Sequence, residues 1–325
     1  MLNLSLTACS FHLRKTNSKG NDKILSLNES FEIDLEEGKK QCFKNASELF
    51  VSFYKNHSTL FKDDSRNQSF RCEYDEKNCC ETDLYYMQCV KIFSGIYGSS
   101  SEIVDGNTET VQYNKKPSDI DIRPFYLMVI FPKDNEDLIV QKGMFIFQNI
   151  GQFGVKTVTT DLMRKYFSEN FKYTLKCNTI APELFIKKVI QKDNVKKLSM
   201  IKNIKSNDLA DNMNSGYGVE IREISKLSFK ESVWEKIMSK IRYAASGKYN
   251  LFEFEEKTYD NLKLVVDIGG RNRTINIHNL ENLSIIEAIP DTIRNEEGNA
   301  NFTLLVEHFK TVADEYLKEM VLHIS

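Results

Sequence analysis

Proline, glycine and tryptophan are scarce in this sequence, which has 5, 14 and 1 of them among its 325 residues. Because proline and glycine interrupt helices and strands, their scarcity predicts regular elements joined by polar loops. Hydrophobic residues make up 41% of the chain and charged residues 28%, which is typical of a globular protein and argues against wholesale disorder. The length allows one large domain or two of medium size.

The sequence also lacks a long hydrophobic run. The longest apolar stretch, PFYLMVIFP, covers residues 124–132, whereas a helix needs about 20 residues to cross a bilayer. The apolar N-terminal stretch is followed, not preceded, by the basic residues Arg14 and Lys15, so it is interpreted as a strand and not as a signal peptide. We therefore expect a cytoplasmic protein without a membrane span.

The cysteines lack the pattern of a disulfide framework or a zinc site. They number seven, an odd count, and no secretory signal accompanies them, so reduced thiols are expected. Cys72, Cys79, Cys80 and Cys89 form one cluster with the spacing C-x6-C-C-x8-C. Structural zinc sites favour ligand pairs separated by two to four residues, and the cluster has none. We expect no bound metal here.

The order of the predicted elements favours an α+β fold with mainly antiparallel sheet. Strand-like segments often follow one another directly, and helical patterns are few, apart from a long one at the C-terminus. Gly269 and Gly270 suit a two-residue hairpin turn, which would place Leu264 opposite Ile275. A polar segment at 206–216 suggests domains of residues 1–205 and 206–325, although a single domain fits as well.

A glycine-containing stretch, IFQNIGQFGVKT at 146–157, stands between a predicted strand and a predicted helix. A P-loop has four residues between its glycines, and lysine follows the second glycine directly. Here two residues separate Gly151 from Gly154, and Val155 precedes Lys156, so the stretch does not match. We interpret it as a structural turn, whose helix N-terminus and Lys156 are suited to a single phosphate group.

Paired carboxylates raise the hypothesis of a metal-dependent nuclease. Asp119 and Asp121 lie two residues apart in PSDIDIR and are expected on one face of a strand with Arg123, a spacing that suits a divalent cation such as Mg²⁺. Such alternation also occurs on the solvated face of an amphipathic strand, which leaves both interpretations open. The further candidate catalytic residues lie downstream and are Glu220, Glu223 and Lys226.

Basic residues cluster locally although the net charge is −2. A lysine-rich stripe near aromatic residues is suited to a phosphate backbone, and it would extend to the tip of the predicted hairpin. The alternative is a solvated helix and an edge strand that lysines protect from aggregation. The candidate nucleic-acid-binding residues are Lys156, Lys187, Lys188, Lys192, Lys196, Lys197, Lys202, Lys205, Arg271 and Arg273.

Two segments, KGMFIFQNIGQFGVKTVTTDLMRKYF at 142–167 and LKLVVDIGGRNRTINI at 262–277, resemble uncharacterised full-length proteins of bacterial phage-defence islands. The resemblance implies a cytoplasmic bacterial protein that acts with partner proteins against phage. A partner protein or a homo-oligomer is expected. The main expectation is a component of a defence system that binds nucleic acid or a partner protein through the basic surface. The alternatives are a metal-dependent nuclease effector and a purely structural subunit. No cofactor is expected, except Mg²⁺ for the nuclease.

Overall fold

The computed structural model describes most of the chain, with gaps at both ends and in several internal segments. The described residues are 2–16, 22–34, 40–151, 153–178, 192–205, 217–225, 231–245, 251–268, 271–277 and 285–320. Within these ranges the four α-helices are α1 (Ala46–Asn56), α2 (Lys156–Phe171), α3 (Glu231–Ala245) and α4 (Phe302–Glu319). Short 3-10 turns occur at Glu76–Asn78, Lys192–Asn194 and Asp291–Ile293.

Strands outnumber helices in the described residues, and the central pairings of both main sheets are antiparallel, so the predicted α+β class is confirmed. The strands are β1 (Leu4–Thr16), β2 (Asp22–Ile24), β3 (Phe31–Asp34), β4 (Lys40–Phe43), β5 (Phe61–Asp63), β6 (Gln68–Tyr74), β7 (Cys80–Glu81), β8 (Tyr85–Ile96), β9 (Ser101–Val104), β10 (Val111–Lys115), β11 (Asp121–Pro132), β12 (Gly143–Ile150), β13 (Phe153–Gly154), β14 (Tyr173–Asn178), β15 (Val195–Lys205), β16 (Tyr217–Ser225), β17 (Phe252–Phe254), β18 (Lys257–Tyr259), β19 (Asn261–Ile268), β20 (Arg271–Asn276) and β21 (Ile285–Ala288).

The chain divides into two compact units, and the division differs from the predicted one. The first unit combines residues 1–177 with 286–325, and the second comprises 178–285. The predicted boundary at 205/206 would separate β15 from β16, but these two strands form a hydrogen-bonded pair in which Met200 lies opposite Arg222. The final helix, α4, belongs to the first unit, because the chain returns there after completing the second.

The first unit is built around one large sheet, whose main strand order is β14-β1-β12-β11-β8-β6-β5. Helices α1 and α2 cover one face of this sheet with a core rich in aromatic side chains. Phe50 of α1 stands at the centre: its ring lies 5.0 Å from that of Phe167 on α2 and 5.2 Å from that of Phe11 on β1. Side chains alternate along each strand, so only every second residue reaches this core.

Helix α4 lies against the opposite face of the same sheet. The ring of Phe302 lies 5.3 Å from that of Tyr126 on β11, and Leu305 and Phe309 are fully buried. Met128 and Ile130 alternate with residues of the aromatic core and are equally buried. Because β11 is covered on both faces, it needs apolar residues at consecutive positions, which explains the long apolar run in the sequence.

The second unit contains a four-stranded sheet with the order β16-β15-β19-β20, and a separate hairpin of β17 and β18. Leu264 pairs with Ile275, so the predicted register of the hairpin is confirmed. Leu198, Leu264 and Val266 are buried on one side of this sheet, and Ile237 and Ile241 form the buried side of α3. The glycine pair at the turn lies outside the described residues.

Candidate interaction surfaces

The candidate nuclease residue Asp119 lies in a turn and not on a strand. β11 begins only at Asp121, so the expectation that Asp119, Asp121 and Arg123 share one strand face is wrong. The Asp119 carboxylate accepts hydrogen bonds from the Tyr113 hydroxyl at 2.5 Å and from the Lys116 backbone N–H at 2.8 Å. The Tyr113 hydrogen bond, followed by that of Lys116, lowers the pKa of Asp119. These contacts give Asp119 a structural role.

The neighbouring carboxylate of Asp121 is also engaged. It accepts a hydrogen bond from the Arg123 guanidinium at 3.1 Å, and this guanidinium lies 4.2 Å from the ring centre of Phe153. Phe153 belongs to the glycine-containing stretch, so the structure brings two segments together that are thirty residues apart in the sequence. Their contact consists of an ion pair and a cation–π interaction.

The other candidate carboxylates belong to the second unit and are likewise paired. Glu223 accepts from Lys197 at 2.6 Å and from Ser199 at 3.2 Å, and the Lys197 bond is the main reason that the pKa of Glu223 is lowered. Glu220 lies 3.4 Å from Lys257. Lys226 lies outside the described residues. Within the part of the chain that is described, no three or more acidic, cysteine or histidine side chains are grouped as metal ligands.

Only part of the predicted lysine stripe lies in the described residues, and the lysines of that part do not share one face of the sheet. Lys197 and Lys202 are five residues apart on β15, so strand alternation places them on opposite sides of the sheet. Lys196 is exposed at a register shift of the same strand. Lys187 and Lys188 lie outside the described residues, as do the side chains of Lys192, Lys205, Arg271 and Arg273.

The stretch before α2 forms a tight hairpin in which Ile150 of β12 pairs with Phe153 of β13. Gly151 has a φ of +61°, a left-handed conformation that glycine adopts without strain. A Cβ atom at Gly154 would overlap the side-chain oxygen of Asn149, so a larger residue there would require this side chain to move. α2 then begins with Lys156, and its N-cap residue Val155 makes no side-chain capping hydrogen bond. The geometry is that of a structural turn.

An exposed hairpin, which the sequence did not single out, is the most unusual surface of the first unit. β9 and β10 form a two-stranded sheet of their own, and eight of their nine residues are exposed. Residues 101–115 are called the arm below. It carries four large apolar side chains that are about half exposed, namely Ile103 (54%), Val104 (47%), Val111 (46%) and Tyr113 (50%).

The arm has a charge polarity along its length. Its tip carries Asp105, which accepts hydrogen bonds from the backbone N–H groups of Asn107 and Thr108 at 2.8 and 3.1 Å, and the exposed Glu109. Its base carries Lys115, whose ammonium group donates to the Ile96 carbonyl at 3.1 Å, and is followed directly by Lys116. The charged groups of the tip are therefore all acidic, whereas Lys115 and Lys116 at the base lie near the carboxylates of Glu102 and Asp119.

Two apolar residues extend the arm at its base. Ile96 at the end of β8 is 52% exposed, and Ile122 near the start of β11 is 41% exposed. The sequence signals for the arm are the apolar residues at 103–104, 111 and 113, on both sides of the polar stretch DGNTET with its Asp-Gly dipeptide. An apolar hairpin is recognisable from such a pattern, but its exposure is not.

No protein-family model matches the sequence, and no curated protein matches it either. None of the helices in the described ranges has the length and apolar character that crossing a bilayer requires. Function is therefore inferred from the residues and their geometry, together with the resemblance of segments 142–167 and 262–277.

Proposed function

We propose that the protein is a structural subunit that associates with a second copy of itself through the arm, as part of a bacterial antiphage defence complex. The exposed apolar arm carries the proposal of self-association. The resemblance of residues 142–167 and 262–277 to proteins of phage-defence islands supports the defence role. The proposal selects the structural alternative among the three functions expected from the sequence.

The energetics of the arm support association. An isolated two-stranded hairpin is at best marginally stable in water. Fully burying an aliphatic or aromatic side chain stabilises a protein by roughly 1.5–3 kcal/mol. Ile103, Val104, Val111 and Tyr113 are each about half exposed, so a partner that covers them gains a large part of this free energy from every arm.

The charge polarity favours a second copy as that partner. Most homodimers have a two-fold axis, which brings the same surface of both copies together. If two arms pair antiparallel around such an axis, the acidic tip with Asp105 and Glu109 lies beside Lys115 and Lys116 at the base of the other copy. Complementary charges of this kind fix the register of an interface and disfavour wrong partners.

The surface comprises seventeen residues, the fifteen of the arm together with Ile96 and Ile122, which is slightly fewer than a standard interface uses. A standard interface uses about 20–30 residues from each partner. The arm contributes residues 101–115, and Ile96 and Ile122 continue its apolar surface at the base. Each strand of the arm also has one free edge, so the backbone is able to extend the two-stranded sheet into a four-stranded one.

The two other functions find less support in the described residues. A nuclease needs carboxylates that are available to a metal ion, whereas Asp119, Asp121, Glu220 and Glu223 are all engaged in hydrogen bonds or ion pairs. A phosphate backbone needs cations on one surface, whereas Lys197 and Lys202 lie on opposite faces and Lys197 is paired with Glu223.

Sedimentation or light-scattering measurements of molar mass on the full chain test the proposal. We expect a dimer at a concentration where Ile103→Lys is a monomer, since a lysine in the paired arms would bury an unpaired charge. Ile139→Lys is the matched control, because Ile139 is 59% exposed in the same unit but lies outside the arm. It should leave the molar mass unchanged.

A charge exchange tests whether the arms pair antiparallel. Glu109→Lys and Lys116→Glu should each weaken the dimer, and the double variant should recover part of the loss because opposite charges meet again. A monomeric wild-type protein over the whole accessible concentration range would overturn self-association. Equal behaviour of Ile103→Lys and Ile139→Lys would show that another surface holds the copies together.

A further inference from the structure

A cleft in the first unit, away from the arm, has the properties of a ligand site. It has a volume of about 890 Å³ and lies between one side of α1 and the ends of β6, β8 and β11. Ligand sites of small molecules typically measure about 300–1,000 Å³. Tyr74 and Tyr86 line the cleft and keep part of their surface exposed, and Phe131 and Glu76 line it as well. It is called the tyrosine cleft below.

The polar groups in the floor of the tyrosine cleft have partners within the protein. The Tyr54 hydroxyl donates to the Gln88 side-chain oxygen at 3.1 Å, and the Gln88 amide donates to the Ser47 carbonyl at 2.9 Å. The ring of Tyr54 lies 5.3 Å from that of Tyr74, so the two rings pack against each other. In the floor of the cleft a ligand therefore meets aromatic surface and polar groups that already have partners.

The tyrosines are held as neutral phenols. Burial, followed by a hydrogen bond with Cys79, raises the pKa of Tyr86 to about 12, and burial is also the main cause that raises the pKa of Tyr74. The Cys79 thiol donates to the Tyr74 hydroxyl at 3.5 Å. Neutral rings fixed in this way offer π-electron faces, which attract ammonium and guanidinium groups.

The rim of the cleft carries more negative than positive charge. Four carboxylates line it, those of Glu48, Asp75, Glu76 and Glu81, against the two ammonium groups of Lys55 and Lys133. The Lys133 ammonium group forms an ion pair with the Glu81 carboxylate at 2.7 Å.

Glu76 differs from the other carboxylates of the rim. Asp75 accepts a hydrogen bond from the Lys77 backbone N–H at 3.0 Å, and Glu48 accepts one from the Lys44 backbone N–H at 2.8 Å. The Glu76 side chain has no hydrogen-bond or ion-pair partner among the described residues, and its charge acts on the adjacent Tyr86. A carboxylate without an internal partner thus lies beside a partly exposed aromatic ring.

We propose that the tyrosine cleft binds an alkyl chain that carries an ammonium or guanidinium group, with the cation beside Glu76 and the chain along Tyr74 and Tyr86. Two sources offer this chemistry: a free polyamine, and a lysine or arginine side chain of a peptide segment. The cleft is separate from the arm, so ligand binding and self-association can be confirmed or refuted independently of each other.

The interaction has a defined electrostatic signature. Hydrogen bonds to charged groups are the stronger ones in proteins, and loss of one weakens binding about tenfold or more. Charges at the rim of a cleft are screened by salt over a distance of about 8 Å at physiological ionic strength. Binding should therefore weaken as salt is added, and it should weaken further when the charge of Glu76 is removed.

Calorimetric titration of the full chain tests the proposal with three probes: spermidine, a short peptide with two arginines, and a peptide of the same length with two glutamates. We expect binding of spermidine, of the arginine peptide or of both, and none of the glutamate peptide. Tighter binding of spermidine identifies a free polyamine as the ligand, and tighter binding of the arginine peptide identifies a peptide segment.

Variants locate the site. Glu76→Gln should weaken binding about tenfold through the lost charge, whereas Glu102→Gln, the same change at an exposed position of the arm, should have no effect. Tyr86→Phe keeps the ring and should retain most of the affinity, while Tyr86→Leu should lose it. Because Glu76 is exposed, its substitution leaves the fold intact and the test valid even where Tyr86→Leu does not fold. Absence of binding of both cations at millimolar concentration, or equal affinity of Glu76→Gln and the wild type, would overturn the proposal.

Discussion

The hydroxyl of Tyr113 donates a hydrogen bond of 2.5 Å to the carboxylate of Asp119, which ties the second strand of the arm to the turn that leads into β11. The same carboxylate accepts from the Lys116 backbone N–H. The arm makes few other contacts, since nearly all of its strand residues are exposed. Its orientation therefore depends strongly on this one side chain.

Asp119→Asn should loosen the arm at neutral pH, because an amide oxygen is a weaker acceptor than a carboxylate. We expect faster hydrogen exchange of the amides at 111–115, measured by mass spectrometry, and a weaker dimer. Asp137→Asn, at an exposed position of the loop between β11 and β12, is the matched control and should change neither. A DNA- or RNA-cleaving activity with Mg²⁺ that disappears in Asp119→Asn would instead favour the nuclease hypothesis.

Acid should loosen the arm in the same way. Hydrogen bonds lower the pKa of Asp119, mainly from Tyr113, and that of Asp105, mainly from the Asn107 backbone. A carboxyl group with a lowered pKa stabilises the folded arm above its ordinary pKa of 3.8, and this contribution is lost as the pH falls through the lowered value. The protection of the arm amides relative to their intrinsic exchange rates, or the Tyr113 chemical shifts, should therefore stay constant from neutral pH down to about pH 4 and change below it. A transition near neutral pH would contradict this assignment.

The aromatic core should respond strongly to loss of Phe50, whose ring lies within 6 Å of those of Phe11, Phe131, Phe145 and Phe167. Phe50→Ala should lower the free energy of unfolding of the first unit by about 3–5 kcal/mol, because it removes buried surface and leaves a cavity. Phe61→Ala, where the ring is 39% exposed, should cost far less. Denaturant unfolding followed by circular dichroism compares the two variants, and similar losses would refute the placement of Phe50.

A close approach of two strands at the base of the arm makes Gly95 sensitive to substitution. A Cβ atom at Gly95 of β8 would overlap the carbonyl oxygen of Asp121 on the paired strand β11. Gly95→Ala should therefore destabilise the first unit by about 1–3 kcal/mol and disturb the pairing of β8 with β11. Gly106→Ala at the tip of the arm is the control, since a Cβ there meets no atom within 4 Å. Thermal unfolding that is equal for both variants would contradict the close approach.

The local patterns of the sequence were sufficient for some elements. The register of Leu264 with Ile275 follows from a glycine pair between two alternating strands, and both signals lie within sixteen residues. The opposite placement of Lys197 and Lys202 also follows from the sequence, because an odd spacing on a strand reverses the face. The prediction of a lysine stripe used only the closeness of the lysines in the sequence and did not apply this alternation.

Other features depend on contacts between distant residues. The position of α4 in the first unit involves the contact of Phe302 with Tyr126, and no local sequence pattern predicts that contact. The alternation in PSDIDIR predicts that Asp119 lies on a strand. The proline and the hydrogen bond from Tyr113 instead hold this segment in a turn before β11. The tyrosine cleft gathers residues from α1, β6, β8 and β11, and their convergence is a property of the fold alone.

The interrupted first unit also has a consequence for its synthesis. All strands of its sheet except β21 are synthesised by residue 178, but α4, which covers the face with Met128 and Ile130, follows only after residue 285. While more than a hundred intervening residues are translated, this apolar face has no cover from its own helix. Nascent chains in this interval are prone to aggregate, and they are natural clients for a chaperone that shields a sheet until the final helix arrives.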